Sequence, residues 1–305
     1  RWDGYWADPP AFAEVSIQFV PFQEDLASLI HHGKVDVVAA VPFTFVKDHR
    51  EIEDWRVVAS PAVATAYLGL NSSVRGLADI RVREAINLGI DRPHLVASVF
   101  PEGAAQPAFS MVPPEVFGYS PDHRQTEVDR DRARRLLAEH GSRRKEPLRL
   151  AYAERNQLVG EHVVAELEAI GLDVEGELLP YEVFYRRLQE ASSDLFVFTW
   201  TYRVADASKF LDTFVRSRDP GRGFGTFNGA ALADPEIDAL IENAVIEPNS
   251  VLRLEKLQQA VADVGEKYVY LPLYKPSSLA LVRVEIGTTT QGHPMLRPQD
   301  FRPIE

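Results

Sequence analysis

Residues 148–200 read LRLAYAERNQLVGEHVVAELEAIGLDVEGELLPYEVFYRRLQEASSDLFVFTW, and this stretch decides the fold class. In it, short apolar runs alternate with segments whose apolar residues recur at helical spacing. We predict strands at Leu148–Tyr152, Asp173–Leu178 and Leu195–Trp200, and helices at Val159–Ile170, which Gly171 ends, and at Tyr181–Ala191. Strands joined by helices of this length form right-handed βαβ units with parallel pairing. The sequence therefore predicts an α/β protein.

The segments on either side continue the alternation of strand and helix. Before this stretch we predict strands at Val15–Phe19, Val35–Val41 and Ala66–Leu70, and helices around Leu26–Ile30, at Val82–Leu88, at Pro93–Phe100 and at Asp129–Glu139. After it we predict helices at Ala207–Val215, Pro235–Ala244 and Val251–Lys267, and a final strand at Tyr270–Tyr274. Gly33 and Gly141 are expected to end the helices that precede them. Residues 101–128, and those after Gly287, are predicted to be irregular.

The composition excludes several classes of function. The chain has 305 residues and a formal net charge of −12, with 33 Lys and Arg against 45 Asp and Glu. A nucleic-acid-binding protein needs a basic face, so that function is not expected. Because cysteine is absent, disulfides, thiolate nucleophiles and cysteine zinc sites are excluded. No apolar run approaches the ~20 residues that span a bilayer, and the start at Arg1 indicates a processed or truncated chain without its targeting segment.

The residue types that most often carry catalysis or bind metals form no recognised pattern in the sequence. The eight histidines show no paired metal-ligand spacing, and the adjacent His31 and His32 diverge on a helix. Gly221, Gly223 and Gly225 mimic a phosphate-binding loop but lack the strand and helix that such a loop joins. A Gly-x-Ser-x-Gly nucleophile turn is also absent. We therefore predict that the protein is not an enzyme and uses no cofactor and no metal.

Residues 196–206, FVFTWTYRVAD, are the best candidate for a ligand site. A buried strand leads here into a polar loop, and in an open α/β sheet ligands bind beyond the carboxyl ends of the strands. Trp200 and Tyr202 offer stacking area with a polar atom, and Arg203 offers a planar fork for a carboxylate. In the alternative, Trp200 belongs to the core and Arg203 to a surface ion pair. The residues alone leave these two interpretations evenly matched.

Seven short motifs occur in an order that resembles the peptide/nickel solute-binding proteins of ABC importers, the family of dipeptide- and oligopeptide-binding proteins. The motifs are Tyr5-Trp6 followed by Pro9 or Pro10; Leu29–Asp36; Tyr67–Asn71; Ile80–Arg92; Ala133–Gly141; Asp194–Trp200 with Asp206; and Tyr270–Tyr274. Each motif alone is weak, but together they follow the family's order across residues 1–287. The resemblance therefore covers nearly the whole chain.

This resemblance implies a periplasmic-binding-protein-like α/β fold of type II, the peptide-binding class, whose two lobes close on a ligand by hinge bending. By that pattern residues 68–272 form a complete lobe II, and residues 1–67 and 273–305 form part of lobe I. The first part of lobe I would be absent from this chain. We therefore expect this chain alone to bind ligand weakly or not at all.

One position departs from the family pattern. Members that bind a free amino terminus carry an aspartate three residues after the tryptophan, where this chain has Arg203. A cation at that position should repel an ammonium group and attract an anion, so we expect an anionic or amino-blocked peptide-like ligand. In the alternative, Arg203 turns away and Asp206 takes the ammonium group, although Asp206 also suits the N-cap of the next helix.

The expected ligand-binding residues are Trp200, Tyr202, Arg203, Phe227, Asn228 and Tyr181, with Phe184 as a weaker candidate. The resemblance implies the solute-binding component of an ABC importer, in the periplasm or outside the cell. Its expected partners are a peptide or peptide-like ligand, the permease and the ATPase. Contact with the membrane would occur only through a lipid anchor or the docked permease. The alternative function is a ligand-sensing or regulatory module with the same fold.

Overall fold

The computed structural model describes residues 11–20, 23–49, 54–121, 127–140, 146–288 and 301–304. In these ranges the strands are β1 (Val37–Val41), β2 (Trp55–Pro61), β3 (Ala64–Leu70), β4 (Ala105–Pro107), β5 (Leu148–Ala153), β6 (Val174–Leu179), β7 (Leu195–Thr201), β8 (Tyr270–Arg283), β9 (Ile286–Thr288) and β10 (Phe301–Pro303). The helices are α1 (Gln23–His31), α2 (Phe43–Asp48), α3 (Ile80–Gly89), α4 (Arg92–Val99), α5 (Arg130–His140), α6 (Gln157–Glu168), α7 (Tyr181–Glu190), α8 (Ser208–Phe210), α9 (Pro235–Ile246) and α10 (Ser250–Glu266). A 3-10 turn lies at Glu154–Asn156 and a π-helical turn at Leu211–Val215. Within the described ranges, every helix is too short or too polar to cross a bilayer.

The chain divides into two compact units. Unit 1 takes the described residues of 1–62, 100–105 and 276–305, and unit 2 takes those of 63–99 and 106–275. The long strand β8 contributes its first half to unit 2 and its second half to unit 1. The predicted lobe boundaries, after residues 67 and 272, remain a prediction.

Unit 1 is built around the second half of β8. This half pairs antiparallel with both β1 and β2, so that Val282 lies opposite Val37 on one side and Arg56 on the other. Val282 and Ala280 are buried, and Phe301 of β10, which pairs antiparallel with β9, is buried with them in one cluster. β8 extends beyond Tyr274, where the sequence predicted its end, because its second half pairs along both edges and carries buried apolar side chains.

Unit 2 contains a sheet with the strand order β8-β3-β7-β5-β6. The predicted parallel strands are confirmed, because β5 pairs parallel with both β6 and β7. β3 runs antiparallel to β7, with Ala64 opposite Thr201, and antiparallel to β8, with Ala66 opposite Tyr274. The first residues of β3 and the last unit 2 residues of β8 therefore lie at the sheet edge where the parallel strands end.

A stack of aromatic rings fills the core of unit 2. The ring of Tyr67 stacks on Phe198 and Phe210, with centroids 5.2 Å and 5.0 Å apart, and Phe198 stacks on Phe214 at 4.6 Å. Gly69 makes room for this packing, because a Cβ at that position would lie 2.1 Å from Cζ of Phe196. Burial of such rings supplies a large share of the hydrophobic stabilisation of the unit.

Several helices of unit 2 begin at side-chain caps, among them α3, α9 and α10. The Asp234 carboxylate accepts from the backbone N–H groups of Glu236 and Ile237 at the start of α9. The Asn249 side chain accepts from those of Val251 and Leu252 at the start of α10. Such caps satisfy N–H groups that have no partner within a helix.

Several predictions from the sequence are wrong or lie outside the described residues. Residues 15–19 form no strand, and Phe19 leaves 92% of its surface exposed. β2 was not predicted, and the predicted helix at 207–215 is α8 followed by a π-helical turn. The Tyr5-Trp6 motif and Gly141 lie outside the described residues.

Candidate functional site

Three connections meet at the carboxyl edge of the parallel strands of unit 2. Arg155 follows β5, Tyr181 begins α7 after β6, and Trp200 to Arg203 lead out of the end of β7. Because β6, β5 and β7 are parallel neighbours, their carboxyl ends point the same way. Loops at such an edge are where open α/β sheets bind ligands. The edge therefore brings together Tyr181, Trp200 and Arg203, which the sequence predicted as site residues.

Trp200 has both core and surface character. Its ring is half-buried and packs edge-on against Phe214 at 5.3 Å and against Tyr202 at 6.3 Å. Its Nε1 is buried and has no hydrogen-bond partner among the described residues. A buried indole N–H normally finds an acceptor. Trp200 therefore offers an apolar face and an unused donor.

Tyr202 was predicted to stack on ligand, but it lies in the core. The Tyr202 hydroxyl lies 2.9 Å from the Tyr67 hydroxyl. The Tyr67 hydroxyl in turn donates to the Met111 carbonyl at 2.5 Å. Burial raises the pKa of Tyr202 well above its usual value, and the neighbouring Tyr67 raises it further. Since this hydroxyl already has partners within the core, we remove Tyr202 from the proposed set of ligand contacts.

The Arg203 side chain is exposed and takes part in no ion pair within the part of the chain that the structure describes. Asp206, by contrast, is fully engaged. Its two oxygens accept from Arg253 at 2.6 Å and 3.1 Å, and one also accepts from the Ser208 N–H at 2.8 Å. Asp206 thus accepts from the first N–H of α8, although the N-cap position itself is Ala207 and not Asp206 as the sequence predicted. The alternative in which Asp206 binds a ligand ammonium group would require breaking the pair with Arg253.

The Asp206–Arg253 pair predicts a specific acid sensitivity. Burial would raise the pKa of Asp206, but hydrogen bonds from Arg253 and Ser208 outweigh burial and lower it. A lowered folded-state pKa stabilises the fold above the unfolded-state value, and this stabilisation is lost as the pH falls through the folded-state value. We expect Asp206→Asn to lose less stability than the wild type on acidification, as measured by urea unfolding across a pH series. Parallel pH curves for the two proteins would contradict this.

Aromatic side chains continue the edge from α7 to the loop before α9. Tyr181 is 56% exposed, and its ring centroid lies 4.5 Å from that of Tyr185, which lies 5.7 Å from that of Phe227. Arg155 places its guanidinium carbon 5.9 Å from the centre of the Tyr181 ring. Arg155 and Tyr185 were not predicted, although Tyr185 follows Tyr181 by one helical turn and Arg155 lies two residues after the end of β5. Phe184, the weaker candidate, is buried in the core.

Asn228 was predicted to supply an amide to the ligand, but its amide holds the loop between residues 216 and 232 together. Its Nδ2 donates to the carbonyls of Arg216 at 3.0 Å and Leu232 at 2.8 Å. Its Oδ1 accepts from the Leu232 N–H at 3.2 Å. Asn228 is 1% exposed, so it positions the neighbouring Phe227 and is not available to a ligand.

A carboxyl edge with exposed aromatic and cationic side chains is typical of an α/β protein that binds small molecules. The profile of the bacterial extracellular solute-binding proteins, family 5, matches residues 1–222. The chain belongs to this family, which confirms the resemblance inferred from the motifs. The family consists of binding proteins.

Individual relatives support the same assignment at low identity. Probable di/tripeptide-binding protein 5 of Pseudomonas aeruginosa is 26% identical over 92% of this chain and 54% of its own length. DppA from Helicobacter pylori, solved with the peptide STSA, has a TM-score of 0.78 and 21% identity, covering 99% of this chain and 59% of that chain. NikA from Brucella suis, solved with Fe(III)-EDTA, has a TM-score of 0.82 and 20% identity, covering 99% and 64%. These structures confirm the predicted fold class, and the chain spans about half the length of the curated relatives it matches.

Proposed function

We propose that the protein to which this chain belongs is the solute-binding component of an ABC importer, which captures a peptide or peptide-like solute and passes it to a permease driven by an ATPase. Family membership and the relative described as di/tripeptide-binding support the proposal. The observation that carries it is the carboxyl edge of unit 2, where Trp200 and Arg203 lie at the end of β7 and Tyr181 follows β6. The connection after β5, the strand between these two, carries Arg155. The family and this relative favour a role in import over the ligand-sensing alternative. They also favour a binding protein over an enzyme.

The proposed ligand is anionic or blocked at its amino end. Arg203 is exposed and unpaired among the described residues, so its charge is available to a carboxylate. Arg155 adds a second cation beside the Tyr181 ring. Two cations at the edge should disfavour a free ammonium group and favour an anion. The revised set of proposed contacts is Trp200, Arg203, Tyr181 and Phe227, joined by Arg155 and Tyr185.

We also propose that units 1 and 2 belong to the two lobes of the family fold. On this proposal unit 2 is lobe II, and unit 1 is the part of lobe I that this chain contains. The protein would act in the periplasm or outside the cell, held near the membrane by a lipid anchor or by the docked permease.

Native mass spectrometry of the full-length protein, purified gently from its own cells, tests the proposal. We expect an added mass that belongs to one anionic or blocked compound and disappears on mild denaturation. The Trp200→Ala protein should be recovered without that mass, because it loses both the stacking face and the free Nε1 donor. A mixture of ordinary free-amino peptides would support peptide import and contradict the charge argument. Hydrolysis of added peptides by the pure protein would contradict the assignment as a binding protein.

A further inference from the structure

Two histidines and a glutamate converge on the helical layer of unit 2, away from the proposed ligand edge. His94 lies in α4, and His162 and Glu166 lie one turn apart on α6. From Gln157, which follows the carboxyl edge of β5, to Glu166 the helix rises about 14 Å at ~1.5 Å per residue. The cluster and the ligand edge are therefore separate features.

The three side chains direct ligand atoms to one point. His94 Nδ1 lies 3.1 Å from Glu166 Oε1, and His162 Nε2 lies 3.2 Å from the same oxygen. All three ligand atoms lie within 4.8 Å of one another. Around a tetrahedral zinc ion, bonds of about 2.0–2.1 Å place neighbouring ligand atoms about 3.3 Å apart. The two nitrogen–oxygen distances, which are also those of hydrogen bonds, are close to that separation.

Arg130 fixes the orientation of the glutamate. Its Nη2 donates to Glu166 Oε2 at 2.5 Å, which leaves Oε1 to face the two histidines. An outer partner that holds a ligand in one orientation is a regular feature of metal sites.

The exposures of the three residues suit a site that a metal ion can enter from solvent. The Glu166 side chain is 3% exposed and that of His162 is 14% exposed, whereas that of His94 is 59% exposed. Glu166 and the partly buried His162 lie on one helix, α6, and the exposed His94 reaches them from a second helix, α4. Solvent therefore reaches the cluster from the side of His94.

We propose that His94, His162 and Glu166 form a binding site for a divalent transition-metal ion of the zinc class, with imidazole and carboxylate ligands and one position open to solvent. Two imidazoles and a carboxylate suit zinc and its first-row neighbours better than magnesium or calcium, which prefer oxygen ligands. The ion would link α4 to α6, which are 72 residues apart along the chain at His94 and Glu166. A bound ion would therefore stabilise unit 2.

Zinc titration by calorimetry tests this proposal on the full-length protein, prepared without a histidine tag and stripped with EDTA. In His94→Ala we expect either one zinc ion fewer per protein or a zinc affinity that is at least about tenfold lower. Loss of even an outer partner of a metal site lowers the metal affinity about 10–100-fold. His94 is exposed, so this variant should fold. Glu161→Gln is the matched control. Glu161 also lies on α6, but its carboxylate accepts a hydrogen bond from Gln157 and does not contact the cluster. It should bind zinc as the wild type does.

The melting temperature gives a second readout on the same proteins. Zinc should raise it in the wild type and in Glu161→Gln, and should raise it clearly less or not at all in His94→Ala, because the stabilisation by a ligand falls as its affinity falls. A wild-type protein that binds no zinc would overturn the proposal. So would a His94→Ala variant that binds zinc as tightly as Glu161→Gln.

Discussion

Replacing Asn228 with alanine should lower the free energy of unfolding by about 2–4 kcal/mol, because several buried backbone groups lose their partner at ~1–3 kcal/mol each. The groups left unsatisfied are the carbonyls of Arg216 and Leu232 and the Leu232 N–H. A shift of the urea midpoint with an unchanged slope would measure the loss. Since the loop also carries Phe227, we expect this variant to weaken ligand binding as well.

Two further variants separate the amide's role from a general effect of substitution. Asn228→Asp keeps the size and the acceptor but replaces the donor with a second oxygen that faces backbone carbonyls, so it should be at least as unstable as the alanine variant. Asn243→Ala changes an exposed asparagine on α9 and should shift the stability by no more than about 0.5 kcal/mol. Equal stability of Asn228→Ala and Asn243→Ala would show that the amide contacts contribute nothing.

Replacing Arg203 with aspartate should reverse the charge preference of the proposed site. Binding of an N-acetylated acidic dipeptide should weaken at least about tenfold, or about 1.4 kcal/mol, since an attractive contact becomes a repulsive one. Binding of free-amino dipeptides should strengthen, because the new carboxylate can pair with their ammonium group. Calorimetry with the two dipeptide sets on the full-length protein measures both changes.

A control of equal charge change distinguishes local contact from the net charge of the protein. Arg135→Asp alters an exposed residue on α5, outside the ligand edge, and should leave both dipeptide affinities close to those of the wild type. If Arg203→Asp and Arg135→Asp behave alike, Arg203 does not contact ligand. Salt should reduce the effect at Arg203, because an exposed charge is screened.

The order of strands and helices in unit 2 was predictable because it depends on the local spacing of apolar residues along the chain. The strands β5, β6 and β7 and the helices between them lie within two residues of their predicted bounds. The alternation of apolar and polar residues at 15–19 led to a wrong strand prediction. Such alternation indicates a strand only where the apolar face is buried, and here Phe19 is 92% exposed. β2 was missed because its partner is the second half of β8, more than 200 residues later along the chain.

By itself, the sequence determined the α/β class, the family and the segment at the end of β7 where a ligand site should lie, since period, turn residues and motif order are local properties. Only the tertiary structure decided which side chains face that edge. Tyr202 and Asn228 point into packed surroundings, whereas Trp200 and Arg203 keep a donor and a charge unused among the described residues. The convergence of His94 with His162 and Glu166 also depends on helix packing, because α4 and α6 meet only after the chain has folded. Side-chain direction and contacts between distant residues depend on what packs against each element, and one sequence read along its length does not contain that information.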